Sequence, residues 1–211
     1  MPKVYVDPGH GGTDPGAVSG SIKEKDINLA IAMAYGQALA RSGVQVQHSR
    51  TTDVTVSLAG RCNAANSSGS DVFVSFHANS APAQSAKGIE VYHASGSSKG
   101  QLIAQHIYDA IATVSPWADR GVKTASFYVL THTTMPSCLV ETGFVSSPEE
   151  AAKLTDPAYQ TEIAEKAAHA TCNYLGVPFV ASGSEVPPTS GSSGSWSIAS
   201  QNETEIVLRR S

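Results

Sequence analysis

The chain has 211 residues, 41% hydrophobic and 15% charged, with 14 Lys and Arg against 18 Asp and Glu for a net charge of −4. This fits one globular domain with room for a tail, and it excludes collagen-like, coiled-coil and wholly disordered chains. The acidic balance argues against a nucleic-acid binder working by charge, and no apolar run reaches the roughly 18 residues that suggest a membrane span.

The opening Met-Pro-Lys-Val-Tyr-Val-Asp reads as a first strand, Lys3 to Asp7, with no signal peptide before it. Ile27, Ala30, Ile31, Ala34 and Ala38 follow helical spacing, so a helix is predicted from about Lys25 to Arg41, ended by Ser42-Gly43. Strands are predicted at Val44 to His48, Val72 to Phe76, Ile89 to His93, Phe127 to Leu130 and Cys138 to Glu141. Helices are predicted from about Ser57 to Ser67, Gly100 to Val114 and Pro157 to Leu175, the last with Pro in its first turn. This alternation predicts an α/β fold: a twisted, mostly parallel six-stranded sheet with helices on both faces. Ligands should then gather at the carboxyl ends of the strands. Residues 1–180 are read as the folded α/β domain and 181–195 as a Ser/Gly/Pro-rich linker. Residues 196–211 form a short tail that could make a strand or two but could not enclose a core.

Cys62, Cys138 and Cys172 make no CxxC pair and read as reduced, buried thiols. His10, His77 and Glu141 each fall just after, or at the end of, a separate predicted strand, so a parallel sheet would bring them to one edge. Glu24 stands at the start of the first helix, whose amino end lies at that same edge. Two imidazoles and one carboxylate suit catalytic zinc, and a second carboxylate then serves as base. Gly9, Gly11 and Gly12 would let the chain turn so that His10 reaches inward, with Gly143 doing likewise beyond Glu141. The loop matches neither GxGxxG nor GxxxxGK[ST], and its aspartates would repel a phosphate. Strand alternation puts Cys138 on the face opposite Glu141, which argues against a thiol hydrolase. His48, His93, His106, His132 and His169 lack such a context and read as structural or surface residues.

The segments Val-Asp-Pro-Gly-His-Gly-Gly-Thr-Asp-Pro-Gly-Ala, Lys-Glu-Lys-Asp-Ile-Asn-Leu, Val-Ser-Phe-His-Ala-Asn-Ser and Leu-Val-Glu-Thr-Gly-Phe-Val-Ser occur in that order. From about residue 3 to residue 176 the chain resembles the zinc-dependent N-acetylmuramoyl-L-alanine amidases of the Amidase_3 type, found among autolysins and phage endolysins. The resemblance implies that His10, Glu24 and His77 hold Zn2+ and that Glu141 is the catalytic carboxylate. The implied reaction is cleavage of the peptidoglycan amide between N-acetylmuramic acid and L-alanine by zinc-activated water, with Glu141 as base and then acid. Arg50, Asp53, Arg61 and Asn79 either orient ligands or brace loops, and Lys87 to Tyr92, Ala118 to Leu130 and Ser146 to Leu154 resemble the family without an assigned role. Two alternatives stay open: a zinc peptidase cutting within the stem, and a peptidoglycan-binding protein without catalysis. The expected route to the wall is synthesis in the cytoplasm, then release through a holin-type pore or by cell lysis.

Overall fold

The computed structural model describes residues 1–117, 119–183, 196–202 and 205–210. Val4 and Val6 bury into one face of a sheet and Tyr5 into the other, so the opening apolar run forms an interior strand, β1 (Lys3–Pro8). A short hairpin, β2 (Val18–Ser19) and β3 (Ile22–Lys23), leads into α1 (Glu24–Arg41). Then come β4 (Gln45–His48), α2 (Leu58–Ser67), β5 (Val72–Asn79), β6 (Ile89–His93) and α3 (Ser98–Ile111). The domain continues through β7 (Asp119–Thr124), α4 (Tyr128–Thr131), β8 (Ser137–Phe144), α5 (Pro148–Leu154) and α6 (Pro157–Leu175).

The six-stranded sheet has the order β4-β1-β5-β8-β6-β7. Its pairs are parallel except β6 with β8, which run antiparallel. The larger core cluster joins α1, α3 and α6 to one face, where Tyr35 Oη lies 2.8 Å from Thr171 Oγ1. On the other face Cys62, Ala65, Val129 and Leu130 from α2 and α4 pack on Tyr5, Phe73 and Leu139. All three cysteines are free and buried. Two strands, β9 (Trp196–Asn202) and β10 (Glu205–Arg210), pair antiparallel in a separate two-stranded sheet. Most of the predicted linker, 184–195, lies outside the described residues.

One predicted strand is wrong. Phe127 to Leu130 is not in the sheet: Phe127 precedes α4, where Val129 and Leu130 bury while Phe127 and Tyr128 stay exposed. A short apolar run cannot by itself distinguish a helical turn from a strand. The sixth strand is instead β7, whose sequence Asp-Arg-Gly-Val-Lys-Thr has no apolar run because it lies at the sheet edge, beside a register irregularity opposite Ile89 to Val91.

The unpredicted α5 carries Glu150, which is fully buried; its two carboxylate oxygens accept the backbone N–H of Gly88 at 2.8 Å and of Phe144 at 2.7 Å. This one side chain ties the start of β6 to the end of β8. Glu150→Ala strands both donors and is expected to lower unfolding stability by about 1–3 kcal/mol for each. Urea denaturation checks this, and an unchanged midpoint would contradict it.

Candidate metal centre and active site

The carboxyl ends of β1, β5 and β8 lie side by side in the sheet, and the sequence gives each a chemically active residue there. His77 on β5 stands in register with Glu141 on β8, while His10 follows β1 by two residues. Glu24 is the first residue of α1 and is buried, at 5% exposure for the residue. The loop glycines do not carry all of the backbone strain, since His10 itself adopts φ +58°. Left-handed backbone at a non-glycine residue costs on the order of 1–3 kcal/mol and persists where the surroundings impose it. Gly9 has a different role: a Cβ there would stand 2.3 Å from the His77 ring, so only glycine lets the two strands' residues approach so closely.

The ligand atoms of His10, Glu24 and His77 all lie within 4.8 Å of one another. Glu24 Oε1 is 3.1 Å from His10 Nε2 and 2.9 Å from His77 Nδ1, near the roughly 3.4 Å that separates ligands of a tetrahedral zinc. The carboxylate is fixed by backbone N–H donors, from Ala17 to Oε2 at 2.8 Å and from Ala78 to Oε1 at 3.2 Å, and by Asn28 Nδ2 at 3.2 Å. Burial opposes its charge, yet the hydrogen bonds from His10 and His77 outweigh burial and hold the Glu24 carboxyl well below the usual range. Burial would lower the His10 pKa, but Glu24 and Asp14 together raise it to about 9. The donor set is thus two imidazoles and an ionised, pre-positioned carboxylate, which fits a zinc ion.

Glu141 has the opposite environment. Its Oε2 is sealed from solvent and has no hydrogen-bond partner among the described residues. Burial pushes its pKa up to about 7, with Glu24 and Glu90 adding to the rise and His77 and His10 countering it. Two carboxylates in one site thus have their pKa values driven apart, the pattern that separates a ligand from an acid–base group. Leu139 and Glu141 face the same cleft while Cys138 belongs to the core on the opposite face, as strand alternation predicts. The cleft, of about 490 Å³, is walled on the α2 and α4 side by Val56, Leu58, Phe127 and Tyr128.

Around the cluster the other sequence candidates brace loops. Arg50 donates to the carbonyls of Pro8, Gly9, Lys25 and Thr52. Arg61 bonds the Asp7 carboxylate at 2.6 Å and the carbonyls of Pro8 and His10. Asp53 accepts Gly12 N–H and Lys25 Nζ, and Asn79 donates to Glu90 at 2.6 Å. None of the four touches the His10, Glu24 and His77 ligand atoms. One residue was missed: Asp14 Oδ2 lies 2.8 Å from His10 Nδ1, held there by reciprocal backbone bonds between Gly11 and Asp14. A carboxylate in this position fixes the tautomer and ring orientation of the imidazole, as it would for a histidine that ligates a metal. The available signal was an acidic residue four positions beyond His10 in a turn-rich loop.

Comparison with known proteins gives the same family as the motifs. A family model described as N-acetylmuramoyl-L-alanine amidase matches residues 4–173. The chain is 42% identical over 167 residues to the N-acetylmuramoyl-L-alanine amidase CwlM of Bacillus licheniformis, covering 78% of this chain and 65% of that protein. It is 36% identical over 200 residues to an endolysin of Bacillus phage SPP1, covering 89% of this chain and 73% of the endolysin. The catalytic domain of CwlV, an N-acetylmuramoyl-L-alanine amidase from Bacillus (Paenibacillus) polymyxa var. colistinus, superposes with a TM-score of 0.80 at 34% identity, covering 84% of this chain and 100% of that one. The chain spans less than two thirds of the first Bacillus amidases it matches, 35% to 65% of their lengths. With the family model spanning almost all of the α/β domain, the chain belongs to the N-acetylmuramoyl-L-alanine amidase family.

Proposed function

We propose that the protein is a zinc-dependent peptidoglycan amidase that cuts the bond between N-acetylmuramic acid and the L-alanine of the peptide stem. The observation that carries this reading is the convergence of His10, Glu24 and His77 within 4.8 Å, beside a buried Glu141 oxygen that has no partner among the described residues. His10, Glu24 and His77 would hold the ion, with Asp14 orienting His10. A zinc ion so held supplies Lewis acidity, bringing the pKa of water toward neutrality and polarising an amide carbonyl.

The remaining chemistry falls to the chain's own groups. Glu141, with a pKa near 7, takes a proton from the attacking water at neutral pH. The same carboxyl then returns the proton to the departing alanine nitrogen, which would otherwise leave as an unstable amide anion. The apolar wall of Val56, Leu58, Phe127 and Tyr128 excludes bulk water from one side of the bond and offers neutral surface to the muramoyl end. Among the described residues no helix is long and apolar enough to cross a membrane. Similarity to the SPP1 endolysin supports action on the wall during cell lysis, after release through a pore or by lysis itself. Residues 1–180 would form the catalytic unit, joined through 181–195 to the 196–211 tail.

Mass spectrometry of digested, purified peptidoglycan tests the reading. Free muramic-acid glycan together with intact stems starting at L-alanine is the expected product. Fragments cut within the stem would indicate a peptidase, and undigested wall a binding protein.

A further inference from the structure

On the other flank of Glu141 from the apolar wall lies a charged cluster that amide hydrolysis as described does not use. Glu90 on β6 stands directly across from Glu141 on β8 and is 2% exposed. Its Oε1 accepts Asn79 Nδ2 at 2.6 Å; its Oε2 accepts Arg120 Nε at 3.1 Å and also Lys123 Nζ. Burial works against the Glu90 charge, but the two cations hold its carboxyl below the usual range. Neutralising one carboxylate needs one cation, and the second leaves a surplus positive charge. Arg120 and Lys123 side chains are 34% and 39% exposed; Arg120 also donates Nη1 to the Lys87 carbonyl at 3.5 Å and lies over the Phe144 ring. The cluster is thus anchored from below and retains donors open to a ligand.

Its position has a scale. Neighbouring strands are about 4.8 Å apart, so β7 lies about 10 Å from β8 and its Glu141 across the intervening β6. An extended peptide advances about 3.3–3.6 Å per residue. The backbone of β7 is thus about three residues from the scissile bond, but Arg120 and Lys123 reach back to Glu90 on β6, one strand from Glu141. A chain that leaves the bond and crosses β6 therefore brings the carboxylate of the residue after the alanine to their head groups within about two residues. The opposite flank presents Val56, Leu58, Phe127 and Tyr128 to the cleft, a surface that suits the neutral glycan, so the two flanks also orient the substrate.

We propose that Arg120 and Lys123, fixed by Glu90, form a carboxylate subsite that receives the acidic residue following the alanine of the stem. The subsite deepens the amidase reading and rests on it. Arginine and lysine here act on binding and specificity, and Glu90 is the positioning residue that holds them.

The test uses two soluble substrates, N-acetylmuramoyl-L-alanyl-D-glutamate and the same compound with both of its carboxylates amidated. The native protein is expected to show a lower KM for the acid. Lys123→Met should raise the KM for the acid by about tenfold, the scale of one charge-assisted hydrogen bond, and leave the amide's KM unchanged. Lys123→Arg should restore the preference. Equal effects of Lys123→Met on both substrates, or a native protein indifferent to the amidation, would overturn the subsite while leaving the amidase reading intact. Failure of the native zinc-loaded protein to cut either compound or whole peptidoglycan would instead overturn the amidase reading itself.

Discussion

Glu141→Gln is expected to lower the rate of wall digestion by about 100- to 10,000-fold, the usual contribution of a general acid–base group. That corresponds to roughly 3–5 kcal/mol of barrier. The amide keeps the side chain's volume but cannot take a proton from water or give one to the leaving nitrogen. The fold should survive the substitution, because Glu141 Oε2 has no hydrogen-bond partner among the described residues for it to lose. Linkage supplies a control in metal-stripped protein. The folded pKa of about 7 lies above the ordinary carboxyl value of 4.5, so the native state binds more protons than the unfolded state between these values. Stability from this group is then fully present below pH 4.5 and is lost as the pH rises through about 7. Stripped Glu141→Gln, which cannot ionise, should lack that decline and be at least as stable as the stripped native protein at pH 8. Turnover by the variant at the native rate would show that Glu141 is not the acid–base group.

His77→Ala is expected to abolish zinc binding and activity together while leaving the sheet intact. Loss of a group that merely orients a metal ligand costs about 10- to 100-fold in affinity, so loss of a ligand should exceed that range. His77 sits at the carboxyl end of β5, partly exposed, and Glu24 keeps Ala17 N–H, Ala78 N–H and Asn28 as partners without it. The native protein should gain about 2.7 kcal/mol of stability at zinc concentrations of 100 Kd, and the variant none. Thermal unfolding with and without zinc measures this directly. Retention of both stoichiometric zinc and activity in His77→Ala would remove it from the ligand set.

The convergence of four distant residues was legible because it depends on topology alone. Strand ends at His10, His77 and Glu141 and a helix start at Glu24 fall on one edge of a parallel sheet, whatever the details of register. Groups whose importance depends on what lies opposite them were not legible. Asp14 reads as a loop residue until the chain folds back onto His10, and nothing in the segment Ser146 to Leu154 singles out Glu150 until α5 closes over two strand ends. Edge strand β7 lacks the β-branched run that marks interior strands, and Phe127 to Leu130 imitated one because helical and extended readings of four apolar residues are indistinguishable. The cationic pair on β7 was hidden for the same reason, since its partner Glu90 lies on another strand.

Zinc titration of chelator-stripped protein, followed by the release of L-alanine-ended stems from purified peptidoglycan, tests the central claim most directly. Activity should be absent in the stripped protein and return in proportion to zinc, saturating at one ion per chain. Stems released at the native rate from protein shown to contain no metal would contradict the account.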